Sequence, residues 1–335
     1  MKRCCLLITL WLAAVASAQD KLRLGEIEFF GGSGLDTTKI RAAIPLRKGD
    51  EFPTMEAMSA VINKIKESVE RASGRAPSDV EALCCDDQGG WVFFVGLPGP
   101  STSKIAYNAA PEGTAQLPPD VVKLYRQSMD ALVEAVRQGK SGEDDSHGYA
   151  LSEYPPLHAK QLATRNYAAR HESLVRRVLK TSRDEEQREV AAYVLGYARQ
   201  SKEQIAALAH ASRDPNETVR NNAVRALGVL ARSDPKVAAR IPAADFIEML
   251  NSGEWTDRNK GGMLLEILSQ RRDPRLLGRL RSQALESLIE MARWRSSRHA
   301  HSARLMLGRV AGIEESRLQQ LVQAGQVEQI IQALN

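Results

Sequence analysis

One stretch of this chain repeats itself. Asp184, Arg188, Ala191, Leu195 and Gly196 return as Asp214, Arg220, Ala223, Leu227 and Gly228. Fainter copies follow, Asp257 and Arg258 leading to Leu264, Leu265 and Leu268, and Ser297 and Arg298 leading to Ala300, Ala303, Leu307 and Gly308. Arginines 188, 220, 258 and 298 are 32, 38 and 40 residues apart. Such a period means that one supersecondary unit is used again and again. The apolar residues inside each copy recur at helical spacing, so the unit is a pair of helices. A single pair cannot bury its apolar face, and the copies must stack. The sequence therefore predicts an α-solenoid over residues 157 to 335, with partner helices near 203 to 211, 243 to 250 and 276 to 291 and a capping helix at 327 to 334.

The segment from Asp214 to Leu230 follows the pattern Asp-Pro-x-x-x-Val-Arg-x-x-Ala-x-x-Ala-Leu-Gly-x-Leu, and these copies resemble HEAT repeats. The resemblance implies that the aspartate and the arginine bond between neighbouring repeats. Asp184, Arg188, Asp214, Arg220 and Leu227 are accordingly expected to be structural. An aspartate at a helix start stabilises free amide groups, and each leucine in the seam is worth roughly 1.5–3 kcal/mol once buried. Gly261 and Gly262 stand where HEAT repeats carry alanines, and are expected to mark a bend.

The amino-terminal part has a different rhythm. Leu22, Leu24, Ile27 and Phe29 alternate as in a half-buried strand, which Gly31, Gly32 and Gly34 end. Asp36 can cap a helix over 37 to 44, and Met58, Val61, Ile62, Ile65 and Val69 give a second helix over 55 to 69. Strands at 80 to 85 and 91 to 97, joined by a turn at 86 to 90, complete a small β-α-α-β-β domain over residues 19 to 97. Ile27, Phe29, Gly31, Asp36, Ile40, Ile44, Gly49, Phe52, Ile62, Ile65 and the strand from Trp91 to Val95 resemble the polypeptide-transport-associated (POTRA) domain of envelope assembly and secretion proteins. That family normally sets several such domains before a β-barrel, whereas this chain has one copy and no barrel. The expected fold class is thus α+β followed by all-α.

Between the two regions, residues 98 to 118 hold four prolines and two glycines and read as a linker. A connecting helix is expected at 119 to 138, with Val122, Tyr125, Met129, Val133 and Val136 on one face and proline at its first turn. Residues 139 to 156 read as a solvated acidic loop, because Glu143, Asp144 and Asp145 lack the spaced ligands of a calcium site.

The first eighteen residues stand apart. Lys2 and Arg3 precede an apolar run from Cys4 to Val15 and the small residues Ala16, Ser17 and Ala18, which reads as a cleaved export signal with the mature chain starting at Gln19. The run is shorter than the roughly 20 residues that span a bilayer. Export places the protein in the periplasm or outside the cell. Only Cys84 and Cys85 then remain, so this is no disulfide-built domain. On a strand the two would point to opposite faces, and a bond between them would be strained.

Charge divides the chain. Residues 155 to 335 carry 29 Lys and Arg against 20 Asp and Glu, while residues 19 to 154 carry 15 against 21. A basic carboxyl half suits an acidic protein face or another anionic surface. Arg271, Arg272, Arg275, Arg279, Arg295 and Arg298, with Trp294 among them, are the residue types favoured in binding hot spots, and repeat solenoids bind along a concave groove. Searches for catalytic patterns give none. Ser33 lacks the last glycine of a nucleophile elbow, no phosphate-binding glycine motif occurs, and His299 and His301 are not spaced to share a zinc ion. No cofactor is expected. The expected function is that of an exported protein-binding scaffold of the bacterial envelope and not an enzyme. A lyase-like or accessory protein built on HEAT-like repeats, and a polyanion or nucleic-acid binder, are the alternatives, and export argues against nucleic acid.

Overall fold

The computed structural model describes residues 22 to 334 apart from residue 104. The expected export signal lies outside the described residues. The amino-terminal unit runs β1 (Leu22–Phe30), α1 (Thr37–Ala43), β2 (Glu51–Phe52), α2 (Met55–Ser73), β3 (Asp79–Cys84) and β4 (Trp91–Gly96). Its sheet has the order β2-β1-β4-β3, with β1 parallel to β4 and the other neighbours antiparallel. Asp36 caps α1 by accepting from the Lys39 amide, and Thr54 caps α2 by accepting from that of Ala57. Gly74 closes α2 with the left-handed backbone (φ 73°) that glycine adopts without strain. The order read from the sequence holds, with the two-residue β2 added. Cys84 is the last residue of β3 and Cys85 lies beyond it, so the two do not share the strand.

β4 explains its own unbroken apolar run. Phe93 and Val95 join Ile40, Ile65 and Val69 in a core beneath α1 and α2, whereas Val92 and Phe94 join the core of the helical region. Successive strand residues point to opposite faces, so β4 is buried on both.

The rest is mostly helical. α3 (Pro119–Arg137) leads into the hairpin β5 (Glu143–Asp144) and β6 (Leu151–Ser152). There follow α4 (Pro155–Thr181), kinked at His171, α5 (Glu185–Leu195), α6 (Lys202–Ala211), α7 (Glu217–Ser233) and the single turn α8 (Pro235–Ala238). A 3₁₀ segment (Ala243–Asn251) precedes α9 (Trp255–Ser269), α10 (Pro274–Ala292), α11 (Ser297–Val310), α12 (Glu315–Gln323) and α13 (Val327–Gln332). The pairs are α4 with α5, α6 with α7, the 3₁₀ segment with α9, and α10 with α11. Their second helices, α5, α7, α9 and α11, pack in series. This is the stack that the repeats required.

Three expectations are corrected. Residues 98 to 118 are no free linker. They run as a strap along the turns inside successive pairs: Ser103 N–H donates to Asn251 O, Asn108 N–H to Arg213 O, and Arg183 N–H to Gly113 O. Backbone polar groups need partners, and proline-rich chain that forms no helix finds them in the exposed turns of the stack. The acidic stretch is not simply solvated either, because the β5–β6 hairpin lies against α7, pairing Glu143 with Arg225 and Asp145 with Arg232. On α3 the buried face is Val121, Val122, Tyr125, Ser128, Ala131 and Ala135, and Val133 and Val136 are exposed.

Candidate interaction surface

The repeat residues form a ladder. Arg188 gives Nε and Nη2 to the Asp214 carboxylate at 2.8 and 3.0 Å, and Nη1 to the carbonyls of Ser182 and Arg183. Arg220 repeats this one unit on, with Nε on Asp257 at 2.8 Å, Nη1 on the carbonyls of Asp214 and Pro215, and Nη2 on Glu254. Each arginine therefore grips the carbonyl six residues before it and an acid of the next repeat. Both are 1% exposed, and every guanidinium nitrogen of the two has an acceptor. Asp184 caps α5 as expected, but α7 is capped by Asn216, which frees Asp214 for the ladder. Leu227 is fully buried in the seam.

The third rung departs from the pattern. Arg258 keeps the carbonyl six residues back, Ser252 O at 2.6 Å, yet its Nη2 reaches Ser101 O in the strap at 2.7 Å. It is fully buried, and this desolvation lowers its pKa to about 10, with Glu290 alone opposing. Arg298 is not the fourth rung. It is exposed, and α11 instead buries Arg304, which donates to Ala292 O and Trp294 O, and Arg309, which pairs with Glu266 and Glu315. Gly261 marks close packing and not a gap, since a Cβ there would lie 2.6 Å from that of Met249.

The turn before α11 is where the sheet docks. Trp294, expected on a binding surface, is 3% exposed. Its Nε1 donates to Phe29 O at 2.9 Å, and its ring meets Phe94 edge-on at 4.9 Å. Trp255 and His299 complete this aromatic cluster around Phe94. Glu28 of β1 accepts from the amides of Arg295 (2.6 Å) and Ser296 (3.4 Å) ahead of α11, and burial pushes its carboxyl up to about 7 despite them. Asp79 of β3 accepts from the Trp255 amide at 2.8 Å, so the sheet caps α9 as well. Arg295 pairs with Glu26 at 3.3 Å.

Of the arginines expected at a partner surface, Arg271, Arg275, Arg279 and Arg298 stand exposed with no ion pair among the described residues, and the first three lie together at the start of α10. α10 aligns two of them. Asp273 caps it and Pro274 opens it, Leu276, Leu280, Ala284 and Leu288 turn inward, and Arg275 and Arg279, four residues apart, share the outer row. A cleft of about 590 Å³ lies beside them, walled by Ala238, Ile241 and Leu276. Arg272 serves another purpose: it has φ 51° and ties its turn to Ile313 O and Glu315. His301 is exposed on α11.

The sequence reading missed the docking residues Glu28, Asp79 and Phe94, and also Arg225, Arg232 and Lys260, which meet the hairpin. Only contacts distant in sequence single them out. Among the described residues no helix is long and apolar enough to cross a membrane.

Comparison with known proteins agrees with the ladder. Residues 172–258 match the family described as HEAT repeats, a segment that spans Arg188, Arg220 and Arg258. No curated protein matches the chain. Among solved structures, an engineered protein known from its crystal structure is similar at 18% identity and a TM-score of 0.38, over 65% of this chain and 89% of that one. The largely helical region behind the four-stranded sheet thus carries HEAT repeats.

Proposed function

We propose that this chain is an interaction scaffold of the bacterial cell envelope, exported by a leader removed before Gln19, and that it acts by holding a protein partner and not by catalysis. The observation that carries the reading is the row Arg271, Arg275 and Arg279. The ladder arginines, and Arg295 and Arg304 at the sheet junction, are engaged within the chain, whereas these three, like Arg298 of α11, offer guanidinium groups to something outside it. Arginine forks suit carboxylates, so the partner presents an acidic face. In this reading the POTRA-like unit supplies a second contact by strand addition, because β3 ends the sheet and pairs only with β4 among the described strands.

The test is retrieval of partners from envelope extract by the full chain and by a variant with Arg271→Ser, Arg275→Ser and Arg279→Ser. The parent is expected to retain a partner that the variant releases. Retrieval of nothing, or of the same proteins by both, defeats the reading. Amino-terminal sequencing of protein taken from cells is expected to begin at Gln19, and a start at Met1 overturns export.

A further inference from the structure

The β5–β6 hairpin sits on the second helices of the first repeats. Glu143 pairs with Arg225 and Asp145 with Arg232, two helical turns apart on α7, or about 10 Å. Lys260 of α9 flanks them with no ion pair among the described residues, and burial together with Arg225 brings its ammonium down to about 8. Three cations thus face two carboxylates. Beneath the hairpin, Tyr193 of α5 and Tyr197 just beyond it bury their hydroxyls, and with Asn222 and Arg225 they line a cavity of about 20 Å³.

The hairpin is anchored through Tyr149 and the buried Ala150, while its acidic arm is held to α7 by the two ion pairs. Its ladder is two residue pairs long, Glu143 and Asp145 are each about a quarter exposed, and Gly139 and Gly148 turn the chain at φ 68° and 78°. We propose that the groove formed by Tyr193, Tyr197, Arg225, Arg232 and Lys260 receives an acidic segment of a partner protein, and that the hairpin is an internal placeholder which such a segment displaces. Charge complementarity identifies the occupant, because the chain's own acidic residues already fill the site. The inference rests on the scaffold reading and adds a second, gated surface to the row on α10.

The probe is a fluorescein-labelled peptide with the sequence of residues 141 to 149, added to the full chain and to a variant carrying Glu143→Ser and Asp145→Ser. Opening the groove is expected to tighten peptide binding by about tenfold or more at low salt, an effect that fades near about 0.5 M salt. Adding Arg225→Ser and Arg232→Ser to the opened variant is expected to abolish it. Equal binding by parent and opened variant, both shown folded by circular dichroism, overturns the proposal, as does binding that survives loss of the two arginines. In the unaltered chain, poly-glutamate is expected to speed amide exchange across residues 141 to 149, and unchanged exchange also counts against displacement. Failure here with partner retrieval through the α10 row intact refutes the groove and leaves the scaffold standing.

Discussion

Replacing Glu28 by glutamine tests how the sheet is fastened to the helical stack. The carboxyl is 8% exposed and titrates near 7 in the folded chain, against 4.5 for the ordinary side chain, because burial outweighs the two amides it accepts from. Below pH 4.5 the group is protonated in both states and contributes no penalty. Between 4.5 and 7 the folded chain holds a proton that the unfolded chain has released, so stability falls as pH rises. The full loss, reached above pH 7, is about 3 kcal/mol at about 1.4 kcal/mol per tenfold change. Glutamine keeps an oxygen for the amides of Arg295 and Ser296 and does not titrate. Glu81 also titrates near 7, through burial and its neighbours Asp79 and Glu217, so the parent alone does not isolate Glu28. The difference between Glu28→Gln and parent does. Urea unfolding followed by tryptophan fluorescence, which reports on Trp255 and Trp294 at the same junction, is expected to give similar stabilities at pH 5 and a variant more stable by about 2–3 kcal/mol at pH 8.5. A constant difference across that range, or a variant weaker at pH 8.5, refutes the assignment.

The ladder, the tight helix crossing and the aromatic junction give three further tests. Asp214→Ala strands the buried Arg188 guanidinium and is expected to lower stability by about 3–5 kcal/mol in denaturant melts, whereas Arg188→Met with Asp214→Leu loses much less. Gly261→Ala drives a methyl toward Met249, with an expected loss of about 1–3 kcal/mol, and a neutral result means the two helices are not that close. Phe94→Ala empties the centre of the Trp255, Trp294 and His299 cluster at an expected cost of about 3–5 kcal/mol, read by calorimetry as a lower midpoint of one shared transition. Separate melting of a unit at its parental midpoint shows that the sheet and the repeats are not joined through this residue.

What the sequence disclosed depended on how local the cause was. The repeats were legible because Arg188 and Arg220 sit at fixed distances from the turns they grip, and the alternation of β1 and the cap at Asp36 are equally short-range. β2 was missed since two residues carry no period. The strap looks like a linker in sequence because prolines and glycines announce only the lack of helix, and the turns that satisfy its backbone lie 70 to 148 residues away. Trp294 shows the same limit at the candidate site. An arginine-rich neighbourhood suggested a surface, but the Phe29 carbonyl and the Phe94 ring that cover it come from the other end of the chain.

The strap has one more implication. Solenoids ordinarily gain or lose a unit cheaply, since each touches only its neighbours. Here contacts at positions 103, 108 and 113 meet turns at 251, 213 and 183, a gauge of five residues for each step of the stack. Duplicating or deleting one helix pair would throw every later notch out of register unless the gauge changed by the same step. The spacing of the first three units is therefore written twice, once in the repeats and once in the segment that measures them.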